Sequence, residues 1–535
     1  MKTIFVRSLI SFLFSLMLIA SLFINPVFAE TKTFIKEYTY HAGDEDSKNS
    51  SRVIALREVK RLLLEELGTY LESETEVKNF QLTKDTLTAL TAGIVQTEVV
   101  DEKWDGKNYW LKAKIAADSN QVIKSIDALR KDRQRTKELE ETRKRSEELL
   151  KENERLRKEL ATAKGEKKQK DTAAYNKTIQ ELDATAWLEQ GLSAYVSGDY
   201  NDAVAAFSKV IELNPKDVMA YVIRGEVYYK LGNYHQAIAD YNNAIELKPK
   251  FASAYDDRGT AYAGLGNHNR AIIDYNQAIA LDPKRAAAYY NRGVAYGILG
   301  NDKRAIADYD KAIQLNPKEA DAYVNRGSTY GRLGNHIKAI ADLNKAIEIN
   351  PKIALAYFNR GYTHSILGNY SQTISDFSKA IEIDSTNAKV YRFHGAIYEF
   401  IGNYIQAIAD YDKAIEIKPQ DAEVYYRRGG AYATIGNYNQ VIADNNRAIE
   451  LNPQYTEAYN NRGIAYDRLG SYNLAISDYN RAIELNPQYA EAYKNRGFAY
   501  AMLHNVEQSK ADIKIAARLG DKASRDFLRK NGIAW

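Results

Sequence analysis

The stretch Ala458–Tyr472 reads AYNNRGIAYDRLGSY, and nearly the same phrase stands at 288–302 (AYYNRGVAYGILGND) and at 322–336 (AYVNRGSTYGRLGNH). Glycines recur at 191, 225, 259, 293, 327, 361, 395, 429, 463 and 497, each 34 residues after the last. A second glycine follows seven residues later in nine of the ten units, from Gly198 to Gly470, with His504 the exception. A period of this length means one supersecondary element stacked on copies of itself.

Counting each unit from Ala184, position 4 is always aromatic: Trp187, then Tyr221, Tyr255 and so on to Tyr493. Position 8 is always Gly; position 11 is Tyr in eight units, position 20 is Ala in seven and position 27 is Ala in nine. Small residues at 8 and 20 let two helix backbones approach, where a larger side chain would overpack by about 1–3 kcal/mol. Tyrosine rings fill the gaps between hairpins and keep a hydroxyl available. LGNY reads as the turn between the two helices, its glycine ending the first in the left-handed conformation. ELNP and ELKP close the second, because proline disfavours helical geometry in the residue before it.

This pattern resembles the tetratricopeptide repeat (TPR), two antiparallel helices per 34 residues, and the likeness covers 184–523. The resemblance implies a mostly α protein: a right-handed α-solenoid of ten helical hairpins. Residues 524–535 (SRDFLRKNGIAW) should cap it as a closing helix, with Phe527 and Leu528 covering the final hairpin. Solenoid ends are expected to be atypical, and Ala194, Val210, His504, Val506 and Asp521 depart from the repeat there. Inside the array the sixth-to-seventh junction departs most, with His364, Thr373, Ser385 and His394. It reads as a local change of curvature rather than a ligand site.

Position 7, commonly Leu in the family, is Arg in eight units, and position 23 is Asp in nine. These positions lie at similar height on antiparallel helices, which predicts a ladder of Arg–Asp pairs. The alternative is an arginine track for an anionic ligand, which the recurrent acid would neutralise.

The resemblance also implies that first helices line a concave groove for other proteins. Position 6 is Asn291, Asn325, Asn359, Asn461 and Asn495, with Asp257 standing in once and Phe393 and Arg427 interrupting. That run is similar to the asparagine ladder of O-linked N-acetylglucosamine transferase repeats, which grips the backbone of an extended peptide. A carboxamide both donates and accepts, so it pairs with a main chain of any sequence. The alternative is that Asn is merely frequent at this position. Tyr290, Phe358, Tyr362 and Tyr426 would supply an aromatic middle that anchors a partner. The paired-lysine clamp of some chaperone-binding members is not visible, since Glu423, Glu457 and Glu491 occupy position 2 late in the array.

Before the repeats, Lys2 and Arg7 precede an apolar run from Leu9 to Ile24, and NPVFAE offers a cleavage site after Ala29. This reads as an export signal over 1–29, leaving a periplasmic or secreted chain. The alternative is an uncleaved inner-membrane anchor. Residues 30–120 read as a small α+β domain: a strand at 33–42, a helix at 51–73 with Leu56, Val59, Leu63, Leu67 and Tyr70 on one face, a short helix at 83–92, and a hairpin turning at Asp105-Gly106. It resembles small domains of exported bacterial envelope proteins, including flagellar assembly proteins. Residues 121–183 are helical and charge-dense. Leu139, Ser146, Asn153 and Leu160, with Thr142, Leu149, Leu156 and Ala163, form heptad seams that could join a homodimer through 136–163. A solvated single helix is the other reading, and the stretch 162–178 reads as a loosened joint.

Lys plus Arg is 74 against 70 Asp plus Glu, a net charge of +4, so no basic surplus advertises nucleic acid. There is no cysteine, which excludes disulfides and thiolate chemistry. Of the seven histidines, His41 precedes the repeats and the other six sit at scattered repeat positions, without metal-ligand spacing, and no phosphate loop or serine elbow is present. No catalytic residue, metal or cofactor is expected. The function expected is an exported scaffold binding extended segments of envelope proteins; the alternative is an assembly component that oligomerises through the coiled coil, and the least favoured is an enzyme in the 30–120 domain.

Overall fold

The computed structural model describes residues 31–73, 95, 97–118, 122 and 133–535. The expected export signal and the expected helix at 83–92 lie outside these residues. The chain divides into two compact units, one ending at Pro283 and one running from Lys284 to Trp535.

The first unit opens with strand β1 (Lys32–His41), helix α1 (Lys48–Ser73), β2 (Glu98–Trp104) and β3 (Asn108–Ala117). The sheet is antiparallel in the order β1-β3-β2. Gly106, at φ +93°, makes the β2–β3 turn, and the Asp105 carboxylate accepts from the backbone N–H groups of Lys107 and Asn108. Alternate residues of β3 (Tyr109, Leu111, Ala113 and Ile115) are buried, in one core with Val59, Leu63 and Leu67 of α1. The period-2 pattern of the strand thus meets the 3.6 period of the helix.

Two long helices follow, α2 (Arg133–Leu160) and α3 (Gly165–Ser197). Three expectations are corrected here. The heptad seam is not free for a second copy: Leu149, Leu156 and Leu160 are buried in one core with Tyr175, Ile179 and Leu182 of α3. A homodimer through 136–163 therefore loses its contact surface to the chain's own next helix. The loosened joint shrinks to residues 161–164, since α3 is already helical from Gly165. Finally, α3 runs unbroken through Ala184, so its last turns are the first helix of repeat one, and the boundary drawn at 183/184 falls within it.

One hydrophobic core extends from Phe34 in the sheet to Val227 in repeat two. A buried ion cluster fastens α1 to α3. Arg57 Nη1 donates to Glu189 Oε1 at 2.9 Å, Lys60 Nζ donates to Oε2 at 2.7 Å, and Arg57 also donates to Thr185 Oγ1. Glu189 is 5% exposed. Burial by itself would raise its carboxyl pKa, but the two cations hold it down at about 2.

The repeats follow as hairpins, each a first helix of 13 residues and a second of 14 in the middle of the array, as in Thr456–Arg468 and Tyr472–Leu485. The turn glycines have φ between +75° and +84°. His504 keeps the same left-handed turn at φ +60° and is the only non-glycine with positive φ among the described residues. The reason for the position-8 glycines is more specific than backbone approach. A Cβ on Gly463 would lie 2.7 Å from Tyr479 Cε1, and the same holds at Gly259 against Tyr275. Position 24 of most repeats lays an aromatic ring over that glycine, and Tyr241, Tyr275, Tyr411 and Tyr479 are fully buried there.

The arginine ladder forms. In eight repeats the position-7 Arg holds the position-23 Asp through both guanidinium edges, Nε to Oδ2 at 2.7–2.9 Å and Nη2 to Oδ1 at 2.5–2.7 Å. Each guanidinium also lies 5.4–5.8 Å from the ring of the position-4 Tyr three residues before it. The third edge reaches sixteen residues back into the preceding repeat, as in Arg326 Nη1 to Asp310 at 2.5 Å and Arg462 Nη1 to Asn446 at 2.7 Å. A planar fork that satisfies two partners and stacks on a ring is arginine chemistry that lysine does not reproduce. The guanidinium groups are consumed by structure, which disposes of the anion track. At repeat seven His394 replaces the arginine, and its Nδ1 lies 3.0 Å from Asp410 Oδ2 without forming a hydrogen bond.

The second unit ends in helix Lys522–Lys530, capped by Asp521, whose carboxylate accepts from Ser524 N. Leu528 is fully buried against Ile513 and Ala517, whereas Phe527 is 47% exposed. Of the two residues expected to cover the last hairpin, one does.

Candidate functional site

In the second unit, the first helices of repeats four to ten carry nine of the ten residues expected to bind a partner. They do not form one uniform ladder. Asn325 Nδ2 donates to Tyr290 Oη at 3.0 Å, Asn495 Nδ2 donates to Asn460 Oδ1 at 3.1 Å, and Asn461 is hydrogen-bonded to Tyr426. Each bond joins position 6 of one repeat to position 5 of the repeat before, 35 residues away. These carboxamides brace neighbouring hairpins with part of their hydrogen-bonding capacity. Asn291 is half-buried. Asp257 lies in the unit ending at Pro283, where its charge adds to burial in pushing up the pKa of the Tyr241 hydroxyl.

Asn359 differs. The position-5 residue behind it is Val324, which offers no polar atom, and its carboxamide has no hydrogen-bond partner among the described residues. It borders an open pocket of 490 Å³ lined also by Phe358, Tyr362, Ile366, Lys389, Phe393, Ser328 and Arg332. Phe358 stacks with Tyr362 at 6.4 Å between centroids, and Phe393 meets Phe358 and Tyr362 edge-on at 5.7 Å each. Below them Phe377 stacks on Phe358 at 5.5 Å, and His394 meets Phe377 edge-on at 6.3 Å. Tyr362 is 44% exposed and Ile366 53%, so the pocket opens to solvent through apolar side chains. Arg332 is already paired with Asp302, at 2.5 Å. The Lys389 ammonium lies 5.1 Å from the Phe358 ring and 5.9 Å from Phe393.

Phe358, Asn359 and Tyr362 thus come together, while Tyr290 packs on Tyr309 and Tyr426 on Tyr455, outside this pocket. Phe393 and Lys389 were missed: Phe393 figures in the sequence only as an interruption of the asparagine run. The signal that finds it is the 35-residue pairing itself, since Phe393 faces Phe358 as Asn325 faces Tyr290. The junction expected to alter curvature is the place where the pocket lies.

A larger cavity, 630 Å³, opens in the first unit between α2, α3 and the first two repeats, over Leu149, Leu188, Leu192 and Ile223. Its rim carries Arg145 and Glu181, which pair with each other at 2.6 Å. Among the described residues no group of three or more His, Asp or Glu could hold a metal ion, and no helix is long and apolar enough to cross a membrane.

Family models described as tetratricopeptide repeat match residues 188–251, 286–319, 320–353, 354–387, 422–455, 456–489 and 478–511, and one described as TPR repeat matches 259–300 and 401–436. Together they cover more than half of the chain. Among solved structures, MamA is 28% identical, with 31% of this chain and 96% of that chain covered and a TM-score of 0.30. YrrB, described as a TPR protein with an unusual peptide-binding site, is 26% identical over 35% of this chain and 97% of that one, with a TM-score of 0.31. A tetratricopeptide repeat protein from Parabacteroides merdae is 21% identical over 46% and 98%, with a TM-score of 0.36. No curated protein sequence matches the chain.

Proposed function

The chain belongs to the tetratricopeptide repeat family and is a protein–protein interaction scaffold; from that premise we propose that the first-helix face of repeats five to seven holds an extended segment of another protein. The observation that carries this is the aromatic pocket beside Asn359. Rigid rings supply contact area at low entropic cost, and a carboxamide without an internal partner is placed to pair with a main chain. The remaining asparagines extend the same surface towards both ends of the second unit.

The partner belongs to the cell envelope. The charged residues, apolar run and small-residue site of the first 29 positions support export, and the mature chain begins at Glu30. Intact mass of the protein recovered from its native host tests export: a chain starting at Glu30 supports it, and one retaining Met1 in the soluble fraction contradicts it. For the binding face, Asn359→Ala with Tyr362→Ala should remove partners from an envelope pull-down without loss of helicity. Retention of every partner by that folded variant refutes the face.

A further inference from the structure

We infer that the segment bound at this pocket carries an Asp or Glu next to its apolar anchor, and that Lys389 is the group that selects it. The inference rests on the peptide-binding reading of the face and adds the chemistry of the peptide.

Lys389 stands at position 2 of the first helix of repeat seven, exposed at the mouth of the pocket. Lysines at a recurrent place on the second helices are neutralised locally: Lys345 by Glu348, Lys379 by Glu382 and Lys413 by Glu416, at 2.6–2.7 Å. Lys389 has no carboxylate partner among the described residues; its ammonium rests over two phenyl rings instead. The pocket lining contains two cations and no acid, and the other cation, Arg332, already has Asp302. Arg392 adds a further positive group, 5.1 Å from the centre of the Phe393 ring.

An apolar anchor entering between Phe358, Tyr362 and Phe393 displaces water from around Lys389. An ammonium stripped of water without a counter-charge is strongly disfavoured. The ligand must therefore bring a carboxylate within reach of Nζ, and one adjacent to the anchor does so in a low-dielectric setting where the pairing is strong. The same helix position reverses sign directly afterwards, with Glu423, Glu457 and Glu491 in repeats eight to ten. An acid shifted by one repeat in that direction meets, in place of a lysine, the Glu423 carboxylate already paired with Arg427 at 2.6 Å, which fixes the register of the segment.

Random peptides displayed on phage and selected on the full chain test this. Selected peptides should pair a large apolar residue with Asp or Glu within two positions. A synthetic peptide of that consensus should bind the Lys389→Glu chain about tenfold or more weakly, and changing its acid to Lys should restore binding to that variant. Lys389→Gln serves as the milder control. Binding lost in Tyr362→Ala but indifferent to both Lys389 substitutions overturns the carboxylate and leaves the face standing. Binding indifferent to Tyr362→Ala, or no peptide selected at all, overturns the face and the inference together.

Discussion

The base of the first unit and the repeats of the second are held by opposite strategies. In the base, a single core joins sheet, long helices and first repeats, and its ion cluster links Arg57 to Glu189 across 132 residues of chain. In the second unit the cores are small and separate, and the recurring ion pair spans 16 residues. The base is a fold that stands or falls together; the repeats are a sum of neighbour contacts. Variation without collapse is therefore possible in the repeats, and that is where the aromatic pocket occurs.

The largest effect that would break this contrast is Glu189→Ala. It leaves the buried Arg57 and the partly buried Lys60 without their shared counter-charge, a loss of about 3–5 kcal/mol. Three of the four tryptophans, Trp104, Trp110 and Trp187, lie in the base, so with Trp535 replaced by Phe the fluorescence in urea should show an early transition while most helical circular dichroism persists. A single unshifted transition for both signals would mean that the base is not tied through this cluster.

Acid should reach the same cluster by another route. Glu189 titrates at about 2 in the folded chain, below the ordinary carboxylate value. Its contribution is present in full above the unfolded pKa, near 4.5, and is lost as pH falls through that range towards 2. The sum is on the order of 3 kcal/mol, read as a fall in the urea midpoint of the tryptophan signal. A Glu189→Gln chain should show a flatter acid limb; an identical limb contradicts the assignment.

Next in size is a single rung. Arg462→Ala leaves Asp478 buried without its guanidinium partner and cuts the bond to Asn446, for about 1.5–3 kcal/mol. Hydrogen exchange should rise in repeats eight and nine and leave the base untouched. Arg462→Lys should recover little of this, because an ammonium cannot satisfy both carboxylate oxygens and the neighbouring amide. Smallest, and of opposite sign, is His394→Arg. Restoring the majority rung next to Ser378 should stabilise by about 1 kcal/mol, seen as a higher urea midpoint of the helical signal.

The repeats were legible because each of their features returns at a fixed interval. Ladder, turn glycines and hairpins all follow from the 34-residue spacing, and the Arg–Asp pairing follows from two positions at equal height. The base was only partly legible. Its strands and α1 show in local alternation, but Arg57 finding Glu189 has no local signature, and the charged opening of α3 reads as linker until Tyr175, Ile179 and Leu182 are seen to fill the seam of α2. At the site, single-position runs pointed to the asparagines and hid their bracing role. The 35-residue pairing of position 5 with position 6 was present in the sequence, but only the packed hairpins give it meaning.

Site-specific photocrosslinking in the native cell tests the central claim most directly. A photoreactive residue replaces Tyr362 in the pocket and, as a control, Glu348, exposed on the second helix of repeat five. The pocket position should yield adducts that map to one short segment of a partner, and the control should not. The same adducts from both positions, or none from Tyr362 in a folded and abundant protein, would contradict a binding face at repeats five to seven.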